Sequence, residues 1–532
     1  MDAASKDPKT MPLHIEHLTR RAFLRSTALA GAATAAFTAR SWAQVAGANS
    51  EIRVAVVGLN GRGRSHLASL AKVPGVRLVA LCDVDTAVLE KTKAGLGAAG
   101  ASVRTYVDIR ELLAAKDVDA ITIATPNHLH SLQAVWAVQA GKDVYVEKPV
   151  SHNIWEGRQL VTAAAKFNRV VQCGTQIRSG AGLQEAVAWV RAGHLGKITA
   201  SRGFCYKSRP SIGKTEGPQP LPSTVNYDLW CGPTPKTELR RRRLHYDWHW
   251  LHVTGNGDVG NQGIHQMDVA RWFLGEAGLP RGTLSVGGRL GYVDDGDTPN
   301  TQVVIHDYAS APLIFEVRGL PSKAGAAVAA ADGDEAAADA ANAKGRKGGA
   351  RTASPMDNYR GVAVGNVVDC EGGYVVTTNY FTATAYDKAG AVVKEFKGSD
   401  RHMQNFIDVM RSRKTADQYG PIAEGHVSSA LCHLGNISHV LGRAIAPEAL
   451  RERIKGRAPL AEATARMAEH LAANHVDLAR TPLTLGVPLT IVPGKEAFAG
   501  EFAKEATPLL TRQYRAPFIV PDLSGKGAVA AS

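Results

Sequence analysis

The stretch that decides the fold runs from residue 52 to residue 63 and reads IRVAVVGLNGRG. Its first six residues are mostly β-branched or small and apolar, which predicts a buried strand. A turn with the glycines Gly58, Gly61 and Gly63 follows, and a helical pattern begins near Ser65. Glycines there let the backbone approach a pyrophosphate, and the helix N-terminus supplies amides and a positive dipole for it. The stretch therefore predicts a dinucleotide-binding turn, with a purely structural turn as the alternative.

Asp83 supports the nucleotide interpretation. It stands at the end of the second predicted strand, 25 residues beyond Gly58. A carboxylate at this place accepts hydrogen bonds from the ribose hydroxyls of adenosine and repels a 2′-phosphate. The sequence therefore predicts NAD as the cofactor and makes NADP the less favoured one.

The alternation of elements indicates an α/β fold. Residues 51–172 alternate short apolar runs with helical patterns, as a parallel sheet with helices does. After Gly174 separate strands with helices on one side predict an α+β domain with a mostly antiparallel open sheet. The predicted organisation is a Rossmann dinucleotide-binding domain at 50–173, a substrate-binding and oligomerisation domain at 174–445 with a low-complexity insertion at 322–353, and a C-terminal extension at 446–532 without an assigned role.

Two polar clusters stand at the ends of later predicted strands: TPNHLH at residues 125–130 and EKP at residues 147–149. The carboxyl ends of parallel strands are where such sheets bind ligands. Each cluster alone is compatible with ordinary loop chemistry, but with the glycine turn they form one consistent set. The predicted nucleotide-binding residues are therefore Gly58, Asn60, Gly61, Arg62, Gly63, Asp83, Thr125, Asn127, His130, Glu147 and Lys148.

A fourth motif, GNGDVGNQGIHQMD, occupies residues 255–268. With the glycine turn, the T-P-N-x-x-H stretch and the E-K-P triplet, it completes four separated motifs, and the chain resembles the Gfo/Idh/MocA oxidoreductase family over roughly residues 51–445. The resemblance implies a Rossmann domain followed by an α/β domain whose open sheet faces the nicotinamide and often mediates oligomerisation, so a homo-oligomer is expected. It also implies a small-molecule carbohydrate substrate, such as a sugar, a polyol or a derivative.

The resemblance further implies catalytic residues. Lys148 matches the lysine of E-K-P, and His265 matches the family's general acid/base histidine, expected in a first helical turn where the dipole favours neutral imidazole. A capping or core histidine is the alternative. In sugar and inositol dehydrogenases of this family an aspartate commonly stands four residues before the histidine, where this chain has Asn261. An amide orients imidazole without stabilising its cation. The sequence therefore predicts simple alcohol dehydrogenation less strongly than it predicts the fold, unless Asp258 or Asp268 supplies the carboxylate that is absent at Asn261.

The segment HYDWHWLH at residues 245–252 has histidines at i, i+4 and i+7 beside an aspartate. Such a set can ligate zinc on a helix. The arginine run at residues 240–243 and the aromatic residues favour a substrate-facing loop instead, in which Trp248 or Trp250 stacks on a pyranose face. The arginine run itself is expected to be a solvated or subunit-contact face. Asp268 is a further candidate substrate contact, and no metal site is predicted.

The N-terminus predicts export. Residues 19–44 read TRRAFLRSTALAGAATAAFTARSWAQ, which resembles a twin-arginine signal cleaved after Ala43, so a periplasmic or otherwise exported location and contact with the twin-arginine machinery are expected. An arginine-rich amphipathic helix is the alternative. The apolar run is too short to span a membrane, and no integral membrane segment is expected in the mature chain.

The amino-acid composition narrows the classes of protein to which the chain can belong. The chain has 62 Lys and Arg against 49 Asp and Glu, a net charge of +13. Residues 1–43 hold six basic and three acidic groups, so cleavage would leave about +10, an excess spread too thinly for a nucleic-acid-binding protein. Six cysteines without a C-x-x-C pair are expected to be small buried residues.

These features predict an exported NAD-dependent oxidoreductase acting on a sugar, polyol or glycoside with a tightly retained cofactor. Little free NAD is available for exchange outside the cytoplasm, so a hydride taken from one substrate must return to it or pass to a second one. One alternative is an NAD-dependent glycoside hydrolase or lyase that works by transient oxidation, elimination and re-reduction. The other is a non-catalytic sugar-binding protein on a Rossmann scaffold.

Overall fold

The computed structural model describes residues 51–320 and 358–523. Two predictions, the export signal at residues 1–43 and the low-complexity insertion at residues 322–353, lie outside these residues. Within the described ranges, no helix is both long enough and apolar enough to cross a membrane. All six cysteines are free and buried, as expected for small apolar residues of the core.

The first sheet has six parallel strands in the spatial order β3-β2-β1-β4-β5-β6. They are β1 (Ile52–Val57), β2 (Val76–Cys82), β3 (Arg104–Tyr106), β4 (Ala120–Ile123), β5 (Asp143–Val146) and β6 (Val171–Cys173). The direction of winding changes between β1 and β4, and ligands bind at such switch points. This sheet confirms the predicted Rossmann architecture.

Helices connect the strands of the first sheet. They are α1 (Arg62–Leu70), α2 (Thr86–Gly95), α3 (Ile109–Ala114), α4 (Asn127–Gln139) and α5 (Ile154–Lys166). Asp85 caps α2 by accepting the amide of Ala87 at 3.0 Å, and Asn153 caps α5 by accepting that of Glu156 at 2.9 Å. No side chain caps α1, so the amides at its N-terminus are left for another acceptor.

A helix from much later in the chain completes the first sheet. Helix α10 (His402–Ser412) packs Phe406 and Met410 into the cluster that contains Val54 of β1 and Tyr145 of β5. The Rossmann half of the molecule is therefore closed by a helix that the sequence assigned to the second domain, and the boundaries at 50–173 and 174–445 stay predictions.

The second sheet has twelve strands, of which ten follow the order β14-β13-β12-β11-β7-β10-β9-β8-β16-β15, while β17 pairs with β8 and β18. Within the described residues of this second sheet, β7 and β10 are the only two neighbouring strands that pair in parallel. The bounds are β7 (Ile198–Tyr206), β8 (Gly282–Gly288), β9 (Thr301–Asp307), β10 (Leu313–Arg318), β11 (Val364–Cys370), β12 (Gly373–Thr377), β13 (Ala383–Asp387), β14 (Val392–Phe396), β15 (Arg443–Ala444), β16 (Thr484–Leu485), β17 (Leu489–Ile491) and β18 (Phe498–Ala499). The predicted, mostly antiparallel sheet is confirmed.

Helices cover both faces of the second sheet, which corrects the expectation of helices on one side. Side chains alternate along β10. Phe315 therefore packs with helix α9 (Gly263–Leu274) on one face of the sheet, while Ile314 packs with helix α13 (Ala458–Ala473) on the other. The extension at 446–532 supplies α13, because the apolar stripe of that helix, including Leu460 and Met467, needs a partner. The helices of this half are α6 (Ala181–Arg191), α7 (Tyr227–Cys231), α8 (Gly257–Gly260), α9 (Gly263–Leu274), α11 (Ile422–Val440), α12 (Pro447–Ile454), α13 (Ala458–Ala473) and α14 (Ala503–Ala506).

Candidate active site

A cavity lies at the carboxyl ends of the central strands of the first sheet, and its empty space, including the part open to solvent, is about 1270 Å³. Of the eleven predicted nucleotide-binding residues, Gly63 does not line this cavity, because it lies in the first turn of α1. Parts of the second domain around His245 and Trp248, together with the C-terminal residue Phe518, complete the wall. Ten of the predicted residues line it: Gly58, Asn60, Gly61, Arg62, Asp83, Thr125, Asn127, His130, Glu147 and Lys148.

The glycine turn forms a cradle that side chains would fill. Gly58 and Gly61 have φ angles of 80° and 116°, in the region that favours glycine. A Cβ on Gly58 would lie 2.7 Å from the carbonyl oxygen of Ala124, and one on Gly63 would lie 1.9 Å from the carbonyl oxygen of Gly58. Asn60, exposed at the tip, takes the place of the middle glycine. With the uncapped start of α1, this backbone fits the pyrophosphate of a dinucleotide.

Asp83 is buried at the end of β2, where Rossmann sheets bind a ribose. Its two carboxylate oxygens accept hydrogen bonds from the amides of Leu59 at 2.7 Å and Asp85 at 3.1 Å. Burial raises the pKa of Asp83 above its ordinary value, although the two amides act in the opposite direction. Each carboxylate oxygen can accept a further hydrogen bond, so Asp83 can also accept a ribose hydroxyl.

Glu147 joins the glycine turn to the E-K-P segment. Its Oε1 accepts hydrogen bonds from Arg62 Nε at 2.8 Å and Gln176 Nε2 at 3.1 Å, and lies 3.0 Å from His66 Nε2. Burial raises the pKa of Glu147, but the charge of Arg62 and the contact with His66 outweigh it and hold the pKa well below its ordinary value. The ionised carboxylate thus fixes a guanidinium beside the cradle, where a positive charge suits a pyrophosphate.

His130 positions the E-K-P segment instead of offering a nitrogen to the nucleotide. Its Nδ1 lies 2.6 Å from the carbonyl oxygen of Pro149, and its Nε2 lies 2.7 Å from that of Thr125. Burial lowers the pKa of His130, so the neutral ring donates to one of these two oxygens. Asn127 Nδ2 donates to Asn256 Oδ1 at 3.1 Å and thereby links the T-P-N stretch to the second domain.

Lys148 and Asn261 meet in the wall of the cavity. The half-buried Lys148 donates from Nζ to the main-chain oxygen of Asn261 at 3.0 Å. The side-chain Nδ2 of Asn261 is buried and has no hydrogen-bond partner in the part of the chain that the structure describes. An ammonium and an unpartnered amide in one wall form a donor set suited to a hydroxyl or alkoxide oxygen.

His265 is the third residue of α9 and is 2% exposed. Its ring centroid lies 5.1 Å from that of Tyr380, and its Nδ1 has no hydrogen-bond partner among the described residues. Burial and then the charge of Lys148 lower the pKa of His265 to about 3. The imidazole is therefore neutral, with burial as the largest cause where the sequence had suggested the helix dipole. His265 does not itself line the cavity, and its contact with substrate stays a prediction.

Asp258 and Asp268, which could take over the role of a carboxylate at Asn261, each form an ion pair with an arginine. Asp268 binds Arg178 through both oxygens, at 2.7 and 2.9 Å. Asp258 binds Arg209 in the same way, at 2.8 to 3.2 Å. Asp268 lies outside the wall of the cavity and its oxygens form a buried ion pair, and its contact with substrate stays a prediction.

Only one of the two predicted stacking residues reaches the cavity. Trp248 lines it and stacks on His249, with 3.6 Å between ring centroids and 21° between ring planes. Trp250 is buried, and the guanidinium of Arg209 lies 5.3 Å from its ring centroid. Trp248 is therefore the better placed of the two for stacking on a sugar, and the role of Trp250 stays a prediction.

Two of the three histidine rings in residues 245–252 have separate hydrogen-bonding partners. His245 Nε2 lies 2.9 Å from Asp85 Oδ2, and His249 Nδ1 lies 2.6 Å from the carbonyl oxygen of Tyr246. Burial lowers the pKa of His252. Across residues 51–320 and 358–523, no three His, Cys, Asp or Glu side chains come together as a metal site. This segment instead closes the cavity near the end of β2.

Sequence reasoning missed the apolar and aromatic part of the wall. Its members in α4 recur at helical spacing, a signal that the sequence did offer. Nothing local marks Trp230 or Phe518, which reach the cavity only through long-range packing. Arg241 lies 4.4 Å from the ring centroid of Trp230 and is buried, so the arginine run is not uniformly solvated. The missed residues include Leu129, Leu132, Gln133, Trp136, Leu229, Trp230 and Phe518, as well as Val107 and Ile109 after β3.

Two family models match the chain. One, described as an oxidoreductase family with an NAD-binding Rossmann fold, matches residues 52–175. The other, described as the C-terminal alpha/beta domain of an oxidoreductase family, matches residues 185–286. The two matches support the resemblance to the Gfo/Idh/MocA family that the four motifs indicated.

Relatives of these Gfo/Idh/MocA domains include two differently named groups. "Inositol 2-dehydrogenase 3" of Saccharopolyspora erythraea is 30% identical over 166 residues, which cover 31% of this chain and 47% of that protein. "Glycosyl hydrolase family 109 protein 2" of a Shewanella species is 28% identical over 200 residues, which cover 34% of this chain and 44% of that protein. The chain thus spans about half the length of the curated relatives it matches.

Solved structures share the Gfo/Idh/MocA fold with this chain. The WlbA dehydrogenase from Bordetella pertussis, in complex with NADH and UDP-GlcNAcA, matches with a TM-score of 0.51 at 19% identity. The match covers 73% of this chain and 95% of that one. At this identity the likeness concerns the fold, a Rossmann domain followed by a domain with a mixed sheet.

Proposed function

We propose that the chain is an NAD-dependent oxidoreductase of the Gfo/Idh/MocA type that acts on a sugar, a polyol or a glycoside. The observation that carries the proposal is the position of Lys148, whose ammonium lies in the same cavity wall as the glycine turn. When bound, NAD supplies a nicotinamide that accepts or returns a hydride. The names of the relatives, inositol 2-dehydrogenase and glycosyl hydrolase family 109 protein, support a carbohydrate as substrate.

Three residues would handle the reacting hydroxyl. Lys148 Nζ donates a hydrogen bond to its oxygen and opposes the charge of an alkoxide, and the unpartnered Nδ2 of Asn261 adds a second donor. His265 is neutral and can take the hydroxyl proton. Burial, and then the charge of Lys148, lower the pKa of His265, so an imidazolium formed there gives the proton back readily.

Asp83 supports a preference for NAD over NADP. Its carboxylate stands at the ribose position with both oxygens oriented by main-chain amides. A 2′-phosphate placed there would meet a fixed negative charge. Nucleotide released by denaturing protein purified without added cofactor should therefore be NAD or NADH, and mainly NADP would contradict the preference.

The decisive experiment is steady-state turnover of a panel of sugars and glycosides, followed by mass spectrometry, without added NAD or electron acceptor. Product formation under these conditions is expected if the cofactor is retained and returned to its starting redox state. Consumption of exogenous NAD in proportion to product would leave an ordinary dehydrogenase. Sugar binding without conversion would support the non-catalytic alternative.

A second candidate, redox-neutral cleavage of a glycoside, is favoured by one observation. Asn261 stands where the family resemblance implies a carboxylate in sugar and inositol dehydrogenases, and the relatives include a protein named as a family 109 glycosyl hydrolase. Asn261→Asp distinguishes the two reactions. A plain dehydrogenase should keep or gain activity in this variant, whereas an enzyme suited to elimination should lose it.

We also propose export by the twin-arginine route, from the sequence of residues 19–44. Changing Arg20 and Arg21 to Lys should retain the protein in the cytoplasm. An unchanged periplasmic yield of the double variant would remove the argument that the cofactor must be carried along with the folded protein.

A homo-oligomer remains part of the proposal. Helix α13 covers the outer face of the second sheet over β9 and β10, so self-association through the sheet is expected to use the strands from β11 to β14. Sedimentation equilibrium of the purified protein measures the state directly, and a monomer at all concentrations would contradict the expectation.

A further inference from the structure

Residues 511–523, here called the C-terminal strap, cross the Rossmann half of the molecule. Arg512 Nη2 lies 2.8 Å from Glu156 Oε1 and donates to the carbonyl oxygen of His128 at 2.9 Å. Arg515 Nη1 donates to Asp228 Oδ1 at 2.7 Å. Further along, the amide of Leu523 donates to Gln159 Oε1 at 2.7 Å. The strap is thus anchored on α4, α5 and α7.

Phe518 is the one strap residue in the wall of the cavity. Its side chain is 3% exposed and packs against Leu132 and Trp136, with 6.3 Å between the Phe518 and Trp136 ring centroids. The guanidinium groups of Arg110 and Arg515 lie 5.5 Å and 4.7 Å from its ring centroid. The ring is therefore held in place by cations of the strap and of α3 and by apolar side chains of α4.

The position of Phe518 along the cavity follows from the strand order. Val107 and Ile109, which follow β3, belong to the same wall, and Asp83 follows β2. Strands β3 and β2 lie on one side of the switch point, whereas β5, which ends at Lys148, lies on the other. Rossmann sheets bind adenosine on the β2 side, so Phe518 stands at the adenosine end.

We propose that Phe518 is a binding residue for the adenine of the dinucleotide and that the C-terminal strap retains the dinucleotide in the cavity. This inference rests on the proposed function. Aromatic and aliphatic side chains suit the flat face of a purine. Because Phe518 is fixed between Arg110 and Arg515, opening this wall displaces the ring and disturbs the anchors at Asp228 and Glu156. Release of the dinucleotide is therefore slow while the strap is in place.

Exchange of bound nucleotide tests this inference on the full chain. Purified protein is loaded with radiolabelled NAD and chased with excess unlabelled NAD, and the release rate is measured by filter binding. Phe518→Ala should release label about tenfold faster or more, since an aromatic contact is lost. The double variant Arg512→Gln with Arg515→Gln keeps the ring but removes anchors, and it should also release label faster. Ile519→Ala, at a strap residue that is 51% exposed, is the matched control and should behave as wild type.

Nicotinamide mononucleotide separates a local contact from general damage, because it lacks the adenosine. Its affinity should be the same in wild type and Phe518→Ala, while that of NAD falls. Equal weakening of both ligands would overturn the assignment of Phe518 to adenine. Release rates equal to wild type in both strap variants would overturn the retention role and leave the proposed function intact. Failure of the wild-type protein to bind NAD at all would overturn the proposed function and this inference together.

Discussion

The two ends of the cavity are built differently. At the Lys148 end, the wall consists of polar residues from the E-K-P triplet and the segment before α9, held by charges and main-chain contacts. At the other end, Asp83 stands among aromatic and aliphatic residues such as Trp136 and Phe518. The first end is suited to moving protons and the second to choosing and holding a nucleotide. Substitutions should accordingly separate turnover from affinity along the length of one cavity.

The largest expected effect is on turnover at the Lys148 end. Lys148→Ala should reduce kcat by about 10² to 10⁴, because it removes the charged donor to the reacting oxygen. The nucleotide content of the purified protein should stay the same, since Lys148 is not part of the glycine cradle. Single-turnover kinetics and released nucleotide per chain check the two halves of this statement. A variant that loses its nucleotide and its turnover together would erase the distinction between the ends.

The next effect concerns Asp268, which the structure places outside both ends. Asp268→Asn leaves Arg178 without its buried partner and should lower the free energy of unfolding by about 3 kcal/mol. Urea unfolding measures this, with Glu238→Gln as the control, because the Glu238–Arg240 pair is exposed and should contribute at most about 0.5 kcal/mol. A raised KM with unchanged stability would return Asp268 to the substrate site.

A substitution of Asp83 tests the difference between the two ends of the cavity at the nucleotide end. Asp83→Ser removes the fixed charge at the ribose position and should shift the ratio of NADP to NAD affinity by about 10- to 100-fold toward NADP. Isothermal titration of both nucleotides gives the ratio. Turnover with saturating NAD should change far less than in Lys148→Ala, and an equal loss of kcat would contradict the division of labour.

The smallest effect, taken per pH unit, is acid destabilisation by buried histidines. Burial lowers the pKa of His128, His265 and His306 to about 3 each, whereas the unfolded chain takes up protons near pH 6.5. Stability is therefore complete above about pH 6.5 and is lost as the pH falls toward 3, by about 1.4 kcal/mol per pH unit for each histidine. His306→Gln should reduce the slope of unfolding free energy against pH by about one proton between pH 6 and pH 4. An unchanged slope would show that His306 does not contribute.

Most of the Rossmann half was predictable, because five of its six strands are short, mainly apolar runs bounded by turn residues. Strand β3, Arg104–Tyr106, was missed because two of its three residues are exposed and it has no apolar run. The second sheet was predictable as a class, but not its outer layer. Helix α13 is recognisable as a helix from its periodicity, whereas the face it covers depends on packing with strands more than 100 residues away in sequence.

The candidate site also contains some residues that could be predicted from the sequence and others that could not. Glycines that must avoid a Cβ clash and a lysine beside a strand end leave local signatures, so the cradle and Lys148 could be recognised from the sequence. The ion pair of Asp268 could not be recognised from the sequence, because its partner Arg178 lies 90 residues away along the chain. Phe518 carries no local mark at all, since only the path of the C-terminal strap brings it to the cavity.

The C-terminal strap also sets an order of events during synthesis. The first sheet obtains its last packing helix at His402–Ser412, while the strap begins at residue 511. At about 5–20 residues per second, translation needs on the order of 5–20 s to cover the intervening chain. A nascent protein can therefore present an assembled but still uncovered nucleotide site on the ribosome. Ligand that enters during this interval is enclosed once the C-terminal strap has been made, so loading is tied to synthesis of the strap.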